Sequence, residues 1–167
     1  KVSATDLSYS RFPTLPFCIL APRSVCQSGN LSDSRIDMSE QPRVAVIIVA
    51  GGVGARASAN GGGLPKQYQA VAGKPVLART IAGFLALENI DLVVPVIGED
   101  HAELYAAMDL SDPRLHKPVV GGSTRQSSTL AGLRAISDTP PDVVLIHDGA
   151  RPFVEPLVVG NVIAALE

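Results

Sequence analysis

The sequence predicts an α/β fold, a mostly parallel sheet with flanking helices, over residues 42–167. Three observations lead there. Residues 44–50, VAVIIVA, are unbroken apolar and rich in β-branched side chains, as a central parallel strand covered on both faces requires. From Arg43 onward, strand-like and helix-like segments alternate, which argues for crossover connections. Polar, glycine-bearing clusters at 51–66, 121–128 and 147–151 directly follow strand-like segments, and open parallel sheets bind ligands at the carboxyl ends of their strands.

Residues 1–41 stand apart. They are rich in Ser and Pro, carry both cysteines (Cys18 and Cys26), and show no sustained periodicity. Met38 begins MSEQPRVAVIIVAGG, a natural start just ahead of the first strand, so residues 1–37 are read as non-native upstream translation and the whole arm as disordered. Its Ser-rich, acid-poor character is the alternative mark of an organelle transit peptide, and 17–21 is too short for a secretory apolar core.

The first strand empties into Gly51, Gly52 and Gly54. Glycines there remove the side chains that keep backbone N–H groups from phosphate oxygens. Arg56 and Lys66 follow, a planar fork and a compact point charge able to offset a triphosphate. A kinase-type P-loop is excluded, because Gly73–Lys74 is followed by Pro75 rather than Ser or Thr. A dinucleotide fingerprint is formally permitted with Ala57 in its third position, but Pro65–Lys66 and the length of the loop argue against it. By itself a glycine cluster is equally a flexible surface loop.

Further along, Pro75 suits a first helical position, and Val76, Leu77, Thr80, Ile81, Phe84 and Leu85 recur at helical spacing. Residues 91–98 read as a strand, 100–108 as a short helix and 118–120 as a brief strand ending in Gly121–Gly122. Ser123 is the expected cap of a helix to about residue 137, with Leu130, Leu133 and Ile136 on one face. Residues 142–147 read as another buried strand, and a last helix starts from Glu155.

Composition narrows the partners. The chain is 46% hydrophobic and 18% charged with a net charge of −2, as in a globular protein with no basic stripe for nucleic acid. No apolar run approaches the roughly 18 residues of a membrane span, and no cysteine lies beyond residue 26, which fits a reducing cytoplasm. His101 and His116 read as solvated residues without metal-ligand spacing, and His147 as a packed strand-end residue. Arg79, Arg114 and Arg134 read as surface charges.

With AGGVGAR, PKQY, GGSTRQSSTLAGL and HDGARP in this order, residues 43–167 resemble the 2-C-methyl-D-erythritol 4-phosphate cytidylyltransferases of non-mevalonate isoprenoid synthesis. The first loop is similar to the cytidylyltransferase half of bifunctional enzymes that also carry a cyclodiphosphate synthase. The resemblance implies a Rossmann-like, glycosyltransferase-A-like nucleotidyltransferase fold. It also implies transfer of CMP from CTP to a polyol phosphate with release of pyrophosphate, Mg²⁺ as the cofactor, and a cytoplasmic homodimer.

Carried over by motif, Arg56 and Lys66 are the catalytic residues, binding the triphosphate and stabilising charge at the α-phosphorus. Ala50, Gly51, Gly52, Gly54, Gly122 and Ser128 would hold the nucleotide. Arg125 would brace that motif, Asp148 would stand by metal and substrate, and Arg151 would take the acceptor phosphate. Ser127 and Ser128 are otherwise plain first-turn residues, and Asp148 a turn brace. The sequence departs from the family at Ala55, where a second Arg is frequent, at Ser123, where an acid is often seen, and at Gly149, where Ala is usual. Residues 57–64 form a long, glycine-rich stretch expected to act as a lid. Family residues from the second half of the domain, including further substrate-binding side chains and the dimer arm, have no counterpart in the 167 residues; poor stability or inactivity of the isolated chain is expected. Ribitol 5-phosphate is the alternative acceptor, and a non-catalytic nucleotide-binding module the alternative from another class.

Overall fold

The computed structural model describes residues 18–20 (backbone only), 41–52 and 63–166. Their centre is a five-stranded sheet in the order β1-β7-β2-β5-β6: β1 Cys18–Leu20, β7 Val143–Asp148, β2 Val44–Ala50, β5 Leu92–Ile97 and β6 Val119–Val120. Neighbours from β7 through β6 run parallel, with Ile47 opposite both Ile146 and Val94. The predicted fold class and the alternation of elements are the observed ones.

Although β2 is apolar throughout, its alternate residues serve two different cores. Val44, Val46, Ile48 and Ala50 pack with Leu77, Ile81 and Phe84 of helix α1 (Val76–Leu85) and Val159 and Ile163 of helix α4 (Pro156–Ala164). Ala45 and Ile47 join Val94, Val96 and Val144 under Ile136 and Leu133, at the end of helix α3 (Arg125–Ala135). A parallel sheet sandwiched by crossover helices requires this two-sided burial. At Gly132 an added Cβ would lie 2.7 Å from Ile47 Cγ2, so the glycine sets how closely α3 approaches β2.

The amino end of the sheet is tied by side chains. Asp142 accepts from the Arg43 N–H at 2.8 Å, and Asp91 from the Val44 N–H at 2.7 Å, so the residues leading into β7 and β5 cap the start of β2.

Several local expectations are corrected. Pro75 is the N-cap of α1 and pairs with Ala70 in a small hairpin, β3 (Ala70–Val71) with β4 (Lys74–Pro75). Its turn places Ala72 at φ 48 and Gly73 at φ 76, the two positive values of a type I′ turn. Arg79 is no idle surface charge: it donates to the carbonyls of Val71 and Ala72 at 2.8 and 2.9 Å. Arg114 donates to the carbonyls of Leu85, Leu87 and Ile90, collecting acceptors left over where α1 ends.

The cap of α3 is Thr124 rather than Ser123. Thr124 Oγ1 accepts from the Ser127 N–H at 3.0 Å while Ser127 Oγ accepts from the Thr124 N–H at 2.9 Å, a reciprocal box. Leu130 is half-exposed, whereas Ile136 is buried. The helix expected over 100–108 is shorter, a 3-10 turn Glu99–His101 leading into α2 (Ala102–Ala106). His101 is buried instead of solvated, its ring edge-on to Tyr68 at 5.0 Å.

In the arm read as unstructured, Cys18–Leu20 depart from that reading by pairing antiparallel with Val144, Leu145 and Ile146 of β7. The outer edge of β7 offers unpaired backbone groups, and a short extended segment satisfies them. No described helix is long and apolar enough to cross a membrane.

Candidate active site

Three turns leave the carboxyl ends of β2, β6 and β7 and meet around a cleft of ≈ 540 Å³, within the range of small-molecule sites. Of the residues expected there, Ala50, Gly51, Gly52, Lys66, Gly122, Ser128, Asp148 and Arg151 all line it, as does Arg125. Arg56 and Gly54, with the proposed lid apart from Gly63 and Leu64, lie outside the described residues.

The wall between β2 and β6 is built for close approach. Ser128 is 2% exposed and donates from Oγ to the Gly122 carbonyl at 3.1 Å. A Cβ on Gly121 would stand 2.6 Å from that oxygen, and one on Gly51 3.4 Å from it. Small residues on both sides therefore let the turn after β6 and the end of β2 share one hydroxyl.

The opposite wall is the turn after β7. The Gly149 N–H donates to the Val49 carbonyl at 2.8 Å and the Arg151 N–H to the Asp148 carbonyl at 3.0 Å. His147 Nε2 lies 2.9 Å from the Arg151 carbonyl. A carbonyl only accepts, so Nε2 carries the proton. This buried imidazole packs edge-on against Phe84 at 4.9 Å. Burial pushes its pKa below the ordinary value, against the opposing pull of the Arg151 carbonyl and the Asp148 charge. It is the strand-end residue that the sequence suggested.

Sequence reading missed two contributors. Thr80, fully buried in α1, shares its hydroxyl between the carbonyls of Val76 and Gly149, each at 3.0 Å, fixing the β7 turn to the helix. Gln67, beside Lys66, is 5% exposed and donates to the carbonyls of Ala50 and Gly52. Its place in PKQY was the available signal, but nothing in that motif says which way the amide turns.

Charge is concentrated on one carboxylate. Nε of Arg125 lies 3.2 Å from one oxygen of Asp148 and Nε of Arg151 3.1 Å from the other. Asp148 thus joins the GGSTRQSS segment to the HDGARP segment, and the trio keeps a net positive charge that Lys66 increases. No group of three His, Cys, Asp or Glu side chains able to hold a metal occurs among the described residues.

A family model described as 2-C-methyl-D-erythritol 4-phosphate cytidylyltransferase matches residues 44–167. A bifunctional enzyme IspD/IspF of Rhodopseudomonas palustris (strain BisB18) is 44% identical over 130 residues, which are 78% of this chain and 32% of that protein. The crystal structure of 4-diphosphocytidyl-2C-methyl-D-erythritol synthase from Anaerococcus prevotii superposes with a TM-score of 0.60 at 30% identity, covering 75% of this chain and 51% of that one. A nucleotidyl transferase from Methanothermobacter, at 21% identity and a TM-score of 0.56, shares the fold. The chain spans about a third of the curated relative's length and about half of the first solved chain. With described residues of each of the four motifs lining one cleft and the family model matching from β2 to the last residue, the chain belongs to the 2-C-methyl-D-erythritol 4-phosphate cytidylyltransferase family.

Proposed function

We propose that the protein to which this chain belongs transfers CMP from CTP to 2-C-methyl-D-erythritol 4-phosphate, releasing pyrophosphate and giving 4-diphosphocytidyl-2-C-methyl-D-erythritol. The observation that carries the reading is the meeting of Lys66, the Gly51–Ser128–Gly122 wall and the Arg125–Asp148–Arg151 trio at one cleft.

An oxygen of the acceptor phosphate attacks the α-phosphorus of CTP. A new P–O bond forms as the bond to the bridging oxygen breaks, and pyrophosphate leaves with that electron pair. Both partners are anionic, so the protein's tasks are alignment and offsetting charge, without a covalent intermediate. Among the described residues, no carboxylate pairs with Lys66, which leaves its ammonium for the triphosphate. Arg56 joins it in this reading. The backbone of Ala50, Gly51 and Gly52, with Gly122 and Ser128, forms the small pocket for cytosine, and Gly54 is assigned to the same nucleotide in this reading. Arg151 binds the acceptor phosphate.

Asp148 suits a cation that arrives with the nucleotide. Its side chain is 33% exposed, and one carboxylate completed by phosphate oxygens and water is the common setting of Mg²⁺. When bound there, Mg²⁺ supplies Lewis-acid stabilisation of phosphoryl charge. A cytoplasmic homodimer completes the proposal, supported by the cysteine-free domain and the family, and checked by light scattering of the protein translated from its complete reading frame.

The test is pyrophosphate release from CTP and Mg²⁺ by that same protein, with 2-C-methyl-D-erythritol 4-phosphate or ribitol 5-phosphate as acceptor. Release with the first acceptor, reduced about 10²- to 10³-fold by Lys66→Ala, supports the reading. Preference for ribitol 5-phosphate reassigns the acceptor, and CTP binding without release under either condition overturns catalysis.

A further inference from the structure

We propose that Gln67 is a positioning residue for Lys66, a role that rests on the nucleotidyltransferase reading of the cleft. Its side-chain nitrogen donates to the Ala50 carbonyl at 2.8 Å and to the Gly52 carbonyl at 3.0 Å. Both acceptors are carbonyl oxygens, so the assignment of nitrogen and oxygen in this amide is fixed by chemistry. One primary amide thereby spends both N–H bonds on the last residue of β2 and on the second glycine after it.

Two consequences follow for the site. The first is mechanical. Lys66 opens the 3-10 turn Lys66–Tyr68. Behind it, Tyr68 is 5% exposed within the core that also holds Ala50 and Leu77. The turn is closed by the Tyr68 N–H on the Pro65 carbonyl at 2.8 Å, and the Gln69 amide donates to the Leu64 carbonyl at 3.1 Å. These contacts fix the turn internally and against the core. Gln67 alone ties it to the glycine turn after β2 among the described hydrogen bonds, so the distance from the Lys66 backbone to the end of β2 depends on this side chain.

The second consequence is electrostatic. A phosphate approaching the end of β2 is repelled by carbonyl oxygens and attracted by N–H groups. With its two donors on Ala50 and Gly52, Gln67 offsets two carbonyl dipoles beside the glycine turn. Gln67, which also lines the cleft, is thus expected to act on the reaction through Lys66 and the turn.

The experiment is a double-mutant cycle on pyrophosphate release, using the protein translated from its complete reading frame. Gln67→Met keeps the length of the side chain and removes both donors. The expected result is a fall in kcat of about 10²-fold, the scale of a displaced catalytic group, with KM for CTP changed less than about threefold. In a Lys66→Ala background the same substitution is expected to cost less than about threefold, because contacts that work through one group are not additive. Gln67→Glu, nearly the same shape but with no donor toward the two carbonyls when ionised, serves as the second variant and is expected to lose at least as much. Urea unfolding establishes that each variant folds.

Equal losses in both backgrounds, or unchanged kcat in either folded variant, overturn the proposal. So does failure of both variants to fold, which makes the amide a determinant of the fold. Wild-type protein that releases no pyrophosphate defeats the reading of the cleft and this proposal with it, whereas active wild type with additive losses defeats the Gln67 role alone.

Discussion

Replacing Asp148 by Asn separates two roles that one carboxylate combines. The side chain keeps its shape but no longer accepts on charged oxygens from Arg125 at 3.2 Å and Arg151 at 3.1 Å. The trio goes from a net charge of +1 to +2. Both arginines are 51% exposed, and exposed ion pairs are worth about 0–1 kcal/mol each, so loss of the two pairs is expected to lower folding stability by no more than about 2 kcal/mol. For a bare triphosphate, the substitution removes one like charge; in water, two unit charges at 4 Å interact by about 1 kcal/mol. CTP titrated calorimetrically in the presence of a chelator should therefore bind Asp148→Asn several-fold more tightly than wild type. In Mg²⁺ the order should reverse, because the carboxylate that would share the cation is gone. Pyrophosphate release should drop about 10²-fold, as for other charge-stabilising groups. Weaker binding by Asp148→Asn in chelator, with an unchanged response to Mg²⁺, would refute this and leave Asp148 as a brace for two arginines.

Three further outcomes are expected. Gly149→Ala places a methyl 2.8 Å from Ala50 Cβ and 3.1 Å from Leu77 Cδ1, and overpacking of this kind costs about 1–3 kcal/mol; urea unfolding should show the loss and its partial recovery with Ala50→Gly, while strict additivity would mean that the two do not touch. Arg114→Met leaves three carbonyls without their guanidinium and should destabilise by about 1–3 kcal/mol, a range kept low because the side chain is about one-third exposed; a urea midpoint unchanged from wild type would contradict the stapling role. Because burial holds the His147 pKa below its ordinary value, the unfolded chain takes up this proton at a higher pH than the folded one. Its contribution to stability is present above about pH 6.5 and is lost as pH falls from there toward the depressed value, so His147→Gln should flatten the decline in urea midpoint between pH 7.5 and 5.5.

Much of the architecture was legible because the signals are local. The apolar run of β2, the helical spacing in α1 and the glycines after strands each follow from short-range pattern, and together they located the cleft at the carboxyl ends of β2, β6 and β7. Motif order alone groups Lys66, Ser128, Asp148 and Arg151, and all four line one cleft.

Tertiary structure decided the direction and partner of each polar group, since these depend on residues far apart in sequence. No local pattern says that Gln67 turns onto Ala50 and Gly52, that Thr80 reaches Gly149, or that Arg114 gathers carbonyls from 85 to 90. The sequence reads His101 as solvated, yet the turn after β5 folds its ring against Tyr68, whose hydroxyl pKa burial, with the nearby Tyr105, pushes up to about 12. Likewise, unbroken hydrophobicity announced that β2 is buried on both sides, but only the packing of α1 and α4 on one face and α3 on the other assigns its alternate residues to their cores. Hydrophobic periodicity is written into neighbouring residues, whereas hydrogen-bond partners and burial depth are set by whichever distant segments the fold brings together.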